Sequence, residues 1–313
     1  MKQMNSGSEK TKVIVVCGPT GIGKTAVGIE LAGKVGGEII SADSMQIYRY
    51  MDIGTAKPTP KEQAQIVHHM IDIVDPDEDF DAAQFLSRAR AIIAELDSRG
   101  RIPFVVGGTG LYIKALLHGM FQPESFGSEV RNRLKKEADE YGCHLLYDRL
   151  KKCDPESAGR LHPNDTYRVI RALEVFESTG KTIGAFHRNH DFADEPYRVL
   201  KIGLTVDRQT LYHRIDHRVD AMIDAGLVYE VHRLLEMGFA PDLKSMQSIG
   251  YRHMIDFIGG HLPWDESVRT LKRDTRRYAK RQLTWFGADP AITWRDPAQI
   301  KDIISAVEKF TDL

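Results

Sequence analysis

The chain has 313 residues, of which 42% are hydrophobic and 28% charged, with a formal net charge of −1. That apolar content suffices for a sizeable core and for more than one folding unit. No run of about 18 apolar residues exists to span a membrane, and a near-neutral balance argues neither for nor against a polyanionic partner. Cys17, Cys143 and Cys153 are too few for a disulfide framework and lack zinc-finger spacing, so a reducing cytoplasm is the expected setting.

Residues 1–10 are polar, lack the apolar stretch of a secretory signal and read as a disordered start. Val13-Ile14-Val15-Val16-Cys17 is a short apolar run ending at a glycine, the pattern of a buried parallel strand. A helix is predicted over 25–34 and a strand over 38–41. A second helix over 82–97 places Phe85, Ala89, Ile92, Ile93 and Leu96 on one side, and a strand follows over 102–106. Strands alternating with helices imply βαβ units, a parallel sheet and right-handed crossovers. Residues 123–197 are charged and helix-like, with helices expected over 129–141 and 165–178. They read as an inserted helical subdomain, leaving 1–122 and 198–313 as the core. A strand is expected to return over 199–206, then helical stretches over 209–237 and 264–286, an edge strand over 291–294 and a closing helix. The predicted fold class is α/β: a P-loop NTPase-like parallel sheet with flanking helices and a helical insertion. No internal repeat or low-complexity tract is present.

Gly18-Pro19-Thr20-Gly21-Ile22-Gly23-Lys24-Thr25 matches G-x-x-x-x-G-K-[ST] in full, after a predicted strand and before a predicted helix. Glycines let successive backbone N–H groups converge on phosphate oxygens, and the helix N-terminus adds positive potential. Lys24 brings a cation to the terminal phosphate, and the Thr25 hydroxyl can ligate Mg²⁺. The motif points to a diphosphate or triphosphate without saying which. No N-K-x-D motif is present. The strand over 102–106 runs into Gly107-Gly108-Thr109-Gly110 rather than into a Walker-B acid. A small-molecule kinase stays open, since such enzymes vary at this point.

Asp43 follows the second strand. Open α/β sheets bind ligands at the carboxyl ends of their strands, so Asp43, the P-loop and Thr109 are expected to face one crevice. A carboxylate beside a phosphate site binds metal, takes a proton or orients a nucleophile; alternatively Asp43 caps the turn Ser44-Met45-Gln46. Further along, Arg269, Lys272, Arg273, Arg276, Arg277, Lys280 and Arg281 accompany a single acid, Asp274, between 269 and 281. This run is either a solvated helix face or a phosphate-backbone contact surface. Val268, Leu271, Thr275, Tyr278 and Gln282 make its inward stripe, leaving the cations outward. Arg214 and Arg218, four apart, share a helix face. His162, beside Pro163, reads as structural.

Asp43-Ser44-Met45-Gln46-Ile47-Tyr48-Arg49 followed by Met51-Asp52-Ile53-Gly54-Thr55-Ala56-Lys57-Pro58 resembles the signature of the tRNA dimethylallyltransferases. Val106-Gly107-Gly108-Thr109-Gly110-Leu111-Tyr112 resembles that family's second loop. His162-Pro163-Asn164-Asp165, with Arg168 and Arg171-Ala172-Leu173-Glu174-Val175, resembles its insertion motif. Gln247-Ser248-Ile249-Gly250-Tyr251-Arg252 and Lys280-Arg281-Gln282-Leu283-Thr284-Trp285 resemble its RNA-binding segments. The likeness runs from about residue 13 to 286. Without a C-terminal zinc finger, the chain looks like the shorter bacterial type.

The resemblance implies transfer of a prenyl group from dimethylallyl diphosphate to N6 of adenine 37 in tRNA, with the P-loop holding diphosphate rather than ATP. It implies Asp43 as general base and Gly18 to Thr25, Mg²⁺ and Arg218 around the diphosphate, with Arg214 a weaker candidate. Thr109 would hydrogen-bond a phosphate, a water or the adenine. The target base must leave its stack. Asp43, Ser44, Met45, Gln46 and Thr109 are expected around it. Arg131, Arg168, Arg171, Gln247, Gly250, Tyr251, Arg252, Lys280 and Arg281 are expected on the rest of the anticodon stem-loop. A monomer is the default expectation. A P-loop kinase and a non-catalytic RNA-binding P-loop protein are the rival readings.

Overall fold

The computed structural model describes residues 10–120, 128–185 and 195–312. The chain divides into two compact units, one built from residues 1–117 and 195–313, the other from 118–194.

The first unit begins with β1 (Lys12–Cys17), α1 (Lys24–Val35), β2 (Glu38–Ser41), α2 (Pro60–Gln65) and β3 (His68–His69). It continues through α3 (Ala82–Ser98), β4 (Pro103–Gly107) and α4 (Gly110–His118). The second unit carries α5 (Ser128–Tyr141), α6 (Cys143–Cys153), α7 (Pro155–Arg160) and α8 (Thr166–Thr179). The chain returns to the first unit through β5 (Arg198–Leu204), α9 (Arg208–Asp224), α10 (Leu227–Glu236) and α11 (Tyr251–Ile258). It closes with α12 (Trp264–Gly287), β6 (Thr293–Arg295) and α13 (Ile300–Thr311).

The six strands form one sheet in the order β3-β2-β4-β1-β5-β6, every pair parallel. Central strands buried on both faces need continuous apolar runs, and β1 supplies one: Val13 to Cys17 are all buried. Ile14, Val16, Phe104, Ile202 and Leu204 from three adjacent strands pack with Leu31 of α1 in the main core. The ends of β1, β4 and β2 lie side by side, with Cys17 opposite Gly107 and Ser41 opposite Val106. The P-loop, the 107–110 loop and Asp43 therefore leave neighbouring strand ends.

The stretch 209–237 is not one helix. Gly226, at φ +100°, stands between α9 and α10, in a conformation that a glycine adopts without a Cβ penalty. The last strand is Thr293–Arg295 rather than 291–294. In the second unit, Leu134, Leu146, Leu150, Val169 and Leu173 form a separate core, and no strand occurs among its described residues. Glu174, only 2% exposed, receives Arg131 Nε at 3.1 Å and an Arg171 guanidinium nitrogen at 2.9 Å.

Candidate active site

Three glycines of the P-loop, Gly18, Gly21 and Gly23, have φ of +142°, +79° and +100°, which L side chains rarely adopt. Gly23 enters α1 without a side-chain cap, so the first-turn N–H groups of α1 are left for an anion. Ile22 is buried and pins the loop to the core. Lys24 donates from Nζ to the Pro19 carbonyl at 2.8 Å. Burial pulls its ammonium down to about 8, Asp43 opposes that shift, and Arg218 adds to it. The half-buried Thr25 stands at the second position of α1, and its hydroxyl has no hydrogen bond among the described residues.

Asp43 is held at the mouth of β2 by a knot of backbone bonds. Ala42 N–H donates to the Val106 carbonyl at 2.8 Å, and Thr109 N–H donates to the Ala42 carbonyl at 3.0 Å. Thr109 Oγ1 accepts from Ser44 N–H at 2.9 Å, so Thr109 orients the turn after Asp43. Asp43 Oδ1 accepts from Met45 N–H at 2.9 Å. Its other oxygen has no hydrogen bond among the described residues. The turn cap and the free carboxylate oxygen thus coexist on different atoms of one side chain. Tyr278, on α12, places its hydroxyl against the Thr109 and Gln282 side chains, and burial followed by the charge of Asp43 raises its pKa. The sequence placed Tyr278 only on an inward stripe; its position at the site depends on how α12 docks.

Arg214 and Arg218 share one face of α9 but have different partners. Arg214 reaches back to the Ile22 carbonyl at 3.4 Å. Arg218 has no ion pair among the described residues; burial lowers its pKa and Asp43 pulls it up again. A largely desolvated guanidinium without a bonded carboxylate is costly unless an anion comes to it. Lys24, Arg218 and the free oxygen of Asp43 lie within electrostatic reach of one another. Among the described residues no group of three or more His, Cys, Asp or Glu side chains could hold a metal by itself. Mg²⁺ is usually held by one or two protein groups together with substrate phosphates, and the Thr25 hydroxyl beside the cradle fits that role.

The family model described as IPP transferase matches residues 46–289, and one described as isopentenyl transferase matches residues 11–74. A tRNA dimethylallyltransferase of Desulfosudis oleivorans is 55% identical over 302 residues, covering 96% of each chain. The chain belongs to the tRNA dimethylallyltransferase family. Two solved structures agree. The tRNA isopentenylpyrophosphate transferase of Bacillus halodurans is 42% identical with a TM-score of 0.73, covering 97% of each chain. A eukaryotic dimethylallyltransferase acting on tRNA is 29% identical with a TM-score of 0.79, covering 96% of this chain and 77% of that one.

Several residues expected on RNA also make bonds within the fold. Gln46 is buried. Its Oε1 accepts from Ser41 Oγ at 3.0 Å and its Nε2 donates to the Ala56 carbonyl at 3.2 Å. Gly250 and Tyr251 are also buried. The Tyr251 hydroxyl donates to Glu230 Oε1 at 2.6 Å. Gln247 is exposed, with Nε2 donating to the Pro241 carbonyl. His162 accepts from Asn164 N–H in a turn.

The basic helix α12 is less free than its sequence suggests. Arg276 pairs with Asp216, Lys272 with Asp220 and Arg269 with Glu266. Arg252, Arg273 and Arg277 surround Asp274. Burial pushes the Asp274 carboxyl up, but Arg273, His253 and Arg252 outweigh it and hold it at about 2. Lys280 and Arg281 are exposed and lack an ion pair among the described residues; Arg281 lies 5.6 Å over the Tyr278 ring. Beside them Trp285 is exposed. In the second unit Arg131 and Arg171 are tied to Glu174, while Arg168 is exposed and, among the described residues, bonds only Asp165 in its own helix cap. No helix among the described residues is long and apolar enough to cross a membrane.

Proposed function

We propose that this protein transfers the dimethylallyl group of dimethylallyl diphosphate to N6 of adenine 37 of tRNA, releasing diphosphate. The N6 lone pair of adenine is delocalised into the ring, so N6 attacks only as its proton is withdrawn. The free oxygen of Asp43 accepts that proton while the new C–N bond forms. The C–O bond of the allylic ester breaks, and its electron pair leaves on the diphosphate. Lys24, Arg218 and the P-loop amides face that developing charge, preorganised by the fold. Mg²⁺, held at Thr25 and by the diphosphate oxygens, would supply further charge neutralisation. Thr109 keeps the Asp43 turn in register and presents its hydroxyl to the same space.

The observation that carries this reading is the convergence of an unpaired arginine, a lysine depressed to about 8 and a half-free carboxylate at adjoining strand ends. A kinase would use the same cradle, but the family's signature residues surround Asp43 here. Exposed Lys280, Arg281, Trp285 and Arg168 bind the anticodon stem-loop through phosphate contacts and stacking. We take the protein to act as a monomer in the cytoplasm. The test is incubation with dimethylallyl diphosphate, Mg²⁺ and an anticodon stem-loop, followed by mass spectrometry. One added prenyl group on the RNA is expected. Unmodified RNA, or phosphate transfer from ATP to a small acceptor, refutes the reading.

A further inference from the structure

The P-loop and the 108–110 loop leave adjacent strands. Beyond the β1–β4 ladder, which ends at the Cys17–Gly107 pair, no backbone hydrogen bond joins them among the described residues. One side chain does. Gln282 of α12, 6% exposed, accepts from Thr20 N–H on Oε1 at 2.8 Å and donates from Nε2 to the Gly108 carbonyl at 2.9 Å. These bonds use both ends of the amide, and the opposite orientation would set donor against donor and acceptor against acceptor. The fit is close: a Cβ on Gly108 would lie 2.3 Å from Gln282 Nε2. Positions 278, 282 and 285 share a helix face, and Tyr278 rests on Thr109 while Trp285 packs on Gly110.

We propose that Gln282 is a positioning residue of the transfer reaction, an amide clasp that sets the separation between the diphosphate cradle and the loop bearing Thr109. The proposal rests on the transferase reading above. The P-loop side fixes the leaving group, and the Thr109 side fixes the turn of Asp43. The distance between donor carbon and base therefore passes through this amide. Misplacement of reacting groups by about 1 Å costs up to about a hundredfold in rate.

The test compares wild type with Gln282→Leu and Gln282→Glu. Gln282→Leu keeps the bulk and loses both bonds. Its kcat should fall about ten- to a hundredfold, with stem-loop affinity changed less than about twofold and the folded fraction unchanged. Gln282→Glu gives a readout that a merely structural role would not move. An ionised carboxylate faces the Gly108 carbonyl with no proton to donate, whereas the protonated acid restores both bonds. Burial raises the pKa of a carboxylic acid, so the ratio of Gln282→Glu turnover to wild type should climb as pH is lowered from about 8 to about 6. Taking the ratio removes the pH dependence that variant and wild type share; the other ionisable groups facing this space are Asp43, Lys24 and Tyr278. A folded Gln282→Leu with turnover within about twofold of wild type overturns the clasp, as does a flat ratio for Gln282→Glu. If Gln282→Leu fails to fold, the pH ratio alone decides. Absence of transfer by the wild type refutes the functional reading and takes the clasp with it. Transfer by the wild type with unaffected variants refutes the clasp alone.

Discussion

Glu230 should be the most consequential surface-proximal carboxylate of the first unit. Its Oε2 accepts from Asp52 N–H at 2.9 Å and Ile53 N–H at 2.7 Å. Its Oε1 accepts from Gly54 N–H at 3.0 Å and the Tyr251 hydroxyl at 2.6 Å. One side chain on α10 thus holds three successive amides of the loop after β2. Residues Thr55 and Ala56, next in that loop, receive the Gln46 amide, so the anchor reaches the turn that carries Asp43. Glu230→Ala strands the buried phenol and three amides. At about 1 kcal/mol or slightly more for each donor left unsatisfied, the loss of stability is roughly 3–5 kcal/mol. Tyr251→Phe removes one donor and strands nothing, and should cost about 1–2 kcal/mol. The double variant should fall short of the sum by the worth of the shared O–H bond, about 1 kcal/mol. Urea denaturation of the four proteins measures all three terms, and turnover should drop in Glu230→Ala far more than in Tyr251→Phe. A Glu230→Ala protein within about 1 kcal/mol of wild type would refute the anchor.

Three more outcomes follow from the site. Asp43→Asn should lower turnover by about 10²–10⁴-fold while stem-loop affinity, read by fluorescence anisotropy, stays near wild type; unchanged turnover removes Asp43 from the mechanism. Burial pulls the Lys24 ammonium down to about 8, and a bound diphosphate favours its charged form and raises that value. Binding therefore takes up a proton between the two pKa values, and donor affinity should fall as pH rises above about 8, by up to about tenfold per pH unit; calorimetry showing constant affinity from pH 7 to well above 8 would contradict this. Stem-loop affinity should fall steeply with salt, and Lys280→Ala with Arg281→Ala should flatten the log–log slope by about 1.5; an unchanged slope would move the RNA elsewhere.

What the sequence disclosed follows from the range of the interactions involved. The P-loop was legible because its glycines, its lysine and the flanking strand are contiguous. Strands β1 and β4 were legible because burial on both faces demands an apolar run. The placement of Asp43 followed from the rule that strands end at the ligand crevice. The two-residue strand β3 exists only through its pairing with Ile39 and Ile40 and has no pattern of its own. The bonds of Tyr251 to Glu230 and of Gln46 to Ser41 were not legible, because a motif shows which residues recur together and not what each one touches. Tyr278 and Gln282 lay on a stripe assigned to packing; only the docking of α12 turns that stripe toward Thr20, Thr109 and Gly108.

The basic helix makes the same point through charge. Read alone, the 269–281 stretch carries seven cations and one acid, which suggests a broad phosphate-binding face. Two of its partners, Asp216 and Asp220, lie on α9, well before it in the chain, and a third, Asp274, gathers arginines from two helices. Cations held in this way fix α12 against its neighbours, and counterion release on RNA binding comes from the ones left over. Those are Lys280 and Arg281, at the end of the helix nearest Gln282 and Trp285. The rigid part of α12 and its RNA-facing part are therefore successive segments of one helix. The turn that follows the ion-paired arginines, from Tyr278 to Gln282, carries the exposed pair and also places Tyr278 and Gln282 on the loops of the site.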